Sequence, residues 1–197
     1  MPVETHIYDN NFFRKTIKLE APAAARFVEI ILKYYAPKSV VDIGCGVGLY
    51  LKEFAERGIE DLLGLDGSPA AAEEFLFNRD HLVIFDLAGR YRFEKKYDLG
   101  LCLEVAEHLR EEDADTLVGT VTDAADDIIF TAAVCGQGPR SIGHINEQPS
   151  DYWIKKFKSK NFSYLKSRTE KMKKEMKAKG VVWWLVNNLM IFSQNKG

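Results

Sequence analysis

Phe27, Ile30, Ile31 and Tyr34 recur at the spacing of one helix face and stop at the Ala36-Pro37 break, which predicts a helix over residues 23–35. Shorter runs without that period follow: SVVDI at 39–43, DLLGL at 61–65, HLVIF at 81–85, YDLGLCLEV at 97–105 and DIIFTAAV at 127–134. They are apolar on both alternating faces, so each reads as a strand covered above and below. Helical patterns separate them. One covers 49–57 and stops at Gly58, one opens at Ser68-Pro69 as a cap followed by a first-turn proline, and one covers 111–124. This alternation predicts an α/β fold: a doubly wound, mostly parallel seven-stranded sheet with helices on both faces. Ligands of such sheets bind beyond the carboxyl ends of the strands.

The tail changes character. A helix is expected at 151–159, a strand near 162–165, a Lys-rich helix to about 179, and a closing apolar strand within 182–192. The chain thus divides as one domain into an N-terminal helical segment (1–37), a ligand-binding core (38–135) and a second-substrate side with loop, basic helix and closing strands (136–197).

At 197 residues, 46% apolar and 28% charged with six prolines, the chain can bury a large core and is not disordered or low in complexity. The longest apolar run, 181–192, is interrupted by Asn187 and Asn188 and falls well short of the ~20 residues a membrane-spanning helix needs. The opening MPVETHIYDNNFF lacks the basic and apolar regions of a secretory leader, so a cytoplasmic location is expected. Cys45, Cys102 and Cys135 lie far apart in apolar stretches, which predicts buried thiols and no disulfide framework. The net charge of −2 conceals an asymmetry: residues 1–154 carry 15 Lys and Arg against 27 Asp and Glu, whereas residues 155–179 carry 11 against 2. The basic segment is read as a solvated helix face, or as a surface for something anionic.

The chemistry begins at Asp42-Ile43-Gly44-Cys45-Gly46-Val47-Gly48, which runs from a strand straight into a helix. Glycines there allow a tight turn and let a ligand approach bare backbone. The spacing is G-x-G-x-G, with Leu49 where a dinucleotide fingerprint wants its third small residue. Asp42 precedes the first glycine by two residues. A carboxylate about 4 Å from a diphosphate would be repelled by ~4 kcal/mol per charge at an effective dielectric of 20, and would attract an ammonium equally. The loop therefore prefers a cationic ligand.

VVDIGCGVGLYL resembles motif I of the class I (Rossmann-like) S-adenosylmethionine-dependent methyltransferases, and most of residues 38–135 follows that pattern. The resemblance, of the type seen in bacterial small-molecule or glycan methyltransferases, implies S-adenosylmethionine (SAM) as donor and S-adenosylhomocysteine (SAH) as product. It further implies donor contacts from Asp42, Gly44, Cys45, Gly46 and Gly48. Asp66, in GLDGSP, resembles the family's ribose ligand, with Gly67 and Ser68 beside it as ligands or simply as turn and cap. Asp86 and Leu87 match the adenine position. Leu103 and Glu104 match the motif beside the methyl-bearing sulfur.

Methyl transfer is an in-line displacement that needs positioning more than acid–base machinery, but a hydroxyl acceptor must lose a proton. Two clusters follow strand ends: Glu104, Glu107 and His108, which would share one face if helical, and Gly143-His144-Ile145-Asn146-Glu147. His108 and His144 are the candidate bases, with Glu107 as a catalytic neighbour; either histidine could instead be structural. The E-x-x-E-H spacing also resembles small-RNA 2′-O-methyltransferases and quinone-biosynthesis O-methyltransferases that hold a divalent metal, and a metal is left open here. GHINEQPSDYWIKKF and the closing VVWWLVNNLMIF look like stretches of bacterial polysaccharide or small-metabolite methyltransferases. Trp183 and Trp184 could stack on a sugar or pack the sheet edge.

The expected reaction is methyl transfer to a small-molecule or glycan-type acceptor, at oxygen, the acceptor being anionic if the basic helix serves it. The −12 body argues against nucleic acid, while the basic helix leaves peripheral membrane contact open. The alternatives are a nicotinamide-dependent oxidoreductase, which requires Asp42 to point away from the loop, and a non-catalytic donor-binding regulatory subunit.

Overall fold

A computed structural model describes residues 9–137 and 143–195. The first eight residues of the opening segment used in the location argument, and Lys196, lie outside the described residues. The first helix, α1 (Asn10–Tyr34), starts thirteen residues before the periodic stretch that predicted it. Asp9 caps it, its carboxylate accepting from the Phe12 N–H at 2.8 Å, and Pro22 lies inside it instead of opening it.

Seven strands form one sheet in the order β3-β2-β1-β4-β5-β7-β6. They are β1 (Ser39–Ile43), β2 (Asp61–Asp66), β3 (Leu82–Ile84), β4 (Tyr97–Leu103), β5 (Ala125–Thr131), β6 (Phe162–Tyr164) and β7 (Met190–Gln194). The first five run parallel, and β7 lies antiparallel between β5 and β6. Between the strands stand α2 (Leu49–Ala55), α3 (Pro69–Glu73), α4 (Ala114–Ala124), α5 (Ser150–Ser159), α6 (Lys166–Ala178) and α7 (Trp183–Asn188). Every residue of β1 is buried, as its unbroken apolar run requires. One core lies between the sheet and α1, α2, α6 and α7; the other lies between the sheet, α4 and α5.

Three expectations need correction. The apolar run after 182 is not one strand. It makes the short helix α7 before β7, because Leu185, Val186 and Leu189 meet the core at helical spacing; short apolar runs do not distinguish the two periods. β4 ends at Leu103, not 105, because Glu104 adopts a left-handed backbone with φ 53°. Cys45 and Cys102 are buried, but Cys135 is exposed in the turn after β5, where its thiol donates to the Glu147 carbonyl at 2.9 Å. In the basic helix Thr169, Met172 and Met176 are fully buried, and its lysines are exposed apart from Lys173, which is half-buried and donates to the Asn187 carbonyl at 2.9 Å. Among the described residues no helix is long and apolar enough to cross a membrane.

Candidate active site

The carboxyl ends of β1, β2 and β4 open onto a cavity of about 400 Å³. The glycine loop is clamped to the end of β2: the Gly44 and Cys45 N–H groups both donate to the Leu65 carbonyl, at 2.7 and 3.0 Å. Gly44 has φ +80°, and a Cβ there would lie 2.2 Å from Val105 Cγ2, so the turn needs glycine on both counts. Gly48, at φ +71°, caps α2 and lies against Phe75; it supports the loop but does not line the cavity.

The other residues expected to hold the donor all line it: Asp42, Gly44, Cys45, Gly46, Asp66, Gly67, Ser68, Asp86, Leu87, Leu103 and Glu104. Asp66 accepts from the Gly46 N–H at 2.7 Å and from the Ser68 N–H at 2.8 Å, one bond per carboxylate oxygen, which fixes its plane and leaves lone pairs for a diol. Asp42 is 1% exposed and neither of its oxygens has a partner. Burial, and then the negative Asp66, push its carboxyl up to about 7. An unpartnered buried carboxylate is costly, and a cation supplied by a ligand removes that cost. The nicotinamide alternative needed this side chain turned away from the loop, whereas it faces the cavity.

Glu104 is held in its left-handed conformation from two sides. Its N–H donates to the Thr131 hydroxyl at 2.9 Å, and the buried Asn188 amide donates to both carboxylate oxygens at 3.0 and 3.1 Å. The E-x-x-E-H run is not one helix face. Ala106–His108 form a single tight turn with Glu104 outside it. The two expected base clusters are nevertheless brought together, because the Ile145 and Asn146 N–H groups donate to the Glu107 carbonyl at 2.9 and 3.0 Å.

The rings of His108 and His144 meet edge to face, 4.8 Å between centroids. His108 Nδ1 lies 3.2 Å from the Gly143 carbonyl and His144 Nδ1 lies 2.8 Å from Glu147 Oε1. Both partners accept, so Nδ1 carries a proton in each ring. Burial pushes the His108 imidazole down to about 4, so it is neutral at physiological pH. Of the proposed catalytic residues only His108 lines the cavity; Glu107 is fully buried behind it and His144 stands in the neighbouring loop. Potential ligand atoms of Glu107, His108 and His144 lie within 4.8 Å of one another. Glu107 Oε1 accepts from the Ala133 N–H while Oε2 is buried without a hydrogen bond. Two imidazoles whose other nitrogens are anchored, plus an orphan carboxylate oxygen, form a donor set suited to a divalent ion.

The sequence reading missed the side of the cavity built by α1 and α2. Phe12, Phe13, Thr16 and Glu20 of α1 and Tyr50 of α2 line it. The available signal was Asp9 as a cap ahead of Phe13 and Ile17; Pro22 concealed it. Among the described residues no Lys or Arg lines the cavity, and no residue of α6 is part of its wall.

Among proteins with curated descriptions, none matches the chain by sequence. Solved structures share its fold. The sugar N-methyltransferase KedS8 from Streptoalloteichus sp. ATCC 53650 superposes with a TM-score of 0.70 at 12% identity, covering 94% of this chain and 92% of its own. Magnesium protoporphyrin IX methyltransferase from Synechocystis PCC 6803 with bound SAM gives 0.58 at 23% identity, covering 78% and 74%. A SAM-dependent methyltransferase from Clostridium acetobutylicum ATCC 824 gives 0.62 at 11% identity, covering 79% and 88%. Residues 17–124 match a family model described as a methyltransferase domain. With that match over more than half its length and a donor cavity at the carboxyl ends of its strands, the chain belongs to the methyltransferase-domain family and is a class I SAM-dependent methyltransferase.

Proposed function

We propose that the protein methylates an oxygen of a small-molecule or glycan-type acceptor, with His108 as the residue that meets the acceptor. The observation that carries this reading is a neutral imidazole in the cavity wall beside Glu104, with its lone pair on Nε2. A hydroxyl donating to Nε2 is oriented with its own lone pair available for in-line attack. His108 is a weak base, so it positions the hydroxyl and takes its proton as the new bond forms; His144, backed by the Glu147 carboxylate, is the next polar group behind it. The names of similar proteins, a sugar and a porphyrin methyltransferase, support an acceptor of that size.

Turnover with labelled donor over a panel of sugars and small alcohols tests the reading. His108→Ala is expected to lower kcat by about 10² or more while SAH affinity stays unchanged. A nitrogen-linked product would refute the oxygen assignment, full activity of both His108→Ala and His144→Ala would remove the base, and tight donor binding with no turnover would favour a regulatory subunit.

The orphan Glu107 oxygen favours a second reading of the same corner, in which Glu107, His108 and His144 hold Mg²⁺ or Mn²⁺. Such an ion would supply Lewis acidity toward the acceptor oxygen. Turnover abolished by chelator and restored by Mn²⁺ in the wild type, but not in Glu107→Gln, distinguishes it from the metal-free reading.

A further inference from the structure

We infer that Glu20 of α1 is a charge-selecting residue that favours the cationic sulfonium of the methyl donor over the neutral thioether of its product. The inference rests on the donor lying across the glycine loop, as the family assignment requires.

Glu20 sits in the cavity wall, and no motif assigns it a task. Its carboxylate accepts from the Tyr50 hydroxyl at 3.0 Å, and the Trp184 indole is a second donor. Both are neutral, so they fix the carboxylate without cancelling its charge. The charged group that acts on it is another carboxyl, Glu104 at the end of β4. One helix serves both acids: Trp184 and Asn188, four residues apart on the same face of α7, reach Glu20 and Glu104 respectively.

Other carboxylates of the cavity have different surroundings. Asp66 is occupied by two backbone N–H groups, Asp86 is exposed, and Asp42 lies beneath the glycine loop. Glu20 and Glu104 both line the cavity, and Glu104 directly follows Leu103, where the family pattern places the sulfur. Burial raises both carboxyls, and no described lining residue is Lys or Arg, so a positive ligand that stabilises their ionised forms is favoured over a neutral one. The donor carries that positive charge at sulfur and the product does not. Both carry the same amino-acid end, so a carboxylate acting at sulfur discriminates between them and one acting at the ammonium cannot.

The test is calorimetric titration of the whole protein and its Glu20→Gln and Glu20→Asp variants with three probes: SAM, SAH and sinefungin, whose protonated amine replaces the methylsulfonium. Thermal unfolding controls for folding. The expected result is that Glu20→Gln weakens SAM and sinefungin at least about tenfold and leaves SAH within about twofold, while Glu20→Asp recovers part of the loss. Equal weakening of all three probes would overturn the inference, since Glu20 would then serve the amino-acid end or the fold; no change in any probe would overturn it too. Failure of SAH to bind the unmodified protein is a different result and would count against the donor site itself.

Discussion

Asp42 shows how a single residue can oppose stability while serving a site. Its folded-state value of about 7 lies above the ordinary 3.8, because burial without a partner disfavours its charge. The folded state therefore holds this proton more tightly than the unfolded chain does. Its contribution is most favourable below pH 3.8, declines as pH rises to 7, and is level above that, a cost of about 4 kcal/mol. Asp42→Asn is expected to be more stable than the wild type at pH 8, with the gain shrinking by pH 5, and to bind SAH at least about tenfold more weakly. Melting curves at both pH values, with calorimetry, check this. Stability lost at pH 8 would show that the carboxylate has a partner in the folded state. The proposed role of Asp42 was legible from two adjacent facts in the sequence, a carboxylate and a glycine turn. That of Glu20 was not, because a glutamate in a helix is ordinary until its neighbours are known.

At the scale of elements, α7 has the largest influence on the site for its length. Six residues place Asn188 so that its amide holds Glu104, and Trp184 so that its indole reaches Glu20. Asn188→Leu keeps the volume but removes the donors, leaving Glu104 buried and poorly satisfied; the expected loss is about 1–3 kcal/mol of stability together with a lower kcat. A denaturant melt and steady-state kinetics check it, and an unchanged kcat would show that Glu104 is positioned by its backbone alone. In the sequence, Asn188 only interrupted an apolar run. The parallel strands and helices up to residue 131 were readable because each carries its own period and its own stop. The 182–192 run was misread because eleven mostly apolar residues can satisfy either period, and the choice was made by packing against α6 and the sheet.

Across the whole molecule, the charge asymmetry of the sequence separates in space. Among the described residues the cavity wall carries carboxylates and no Lys or Arg, while α6 buries Thr169, Met172 and Met176 and exposes its lysines apart from the half-buried Lys173. Lys174→Glu combined with Lys177→Glu is expected to leave SAH affinity within about twofold and stability within ~0.5 kcal/mol, because neither side chain is buried. A loss of turnover with a preserved melt would place α6 in acceptor binding after all. The sequence by itself determined the sheet, the glycine turn and the order of acids at the strand ends, because those depend on local period and on residues adjacent in the chain. Tertiary structure alone decided that α1 walls the cavity, that His108 meets His144, and that Glu20 faces Glu104. These pairs are far apart in sequence, and no local pattern records which distant side chains the packed helices bring within a few ångströms.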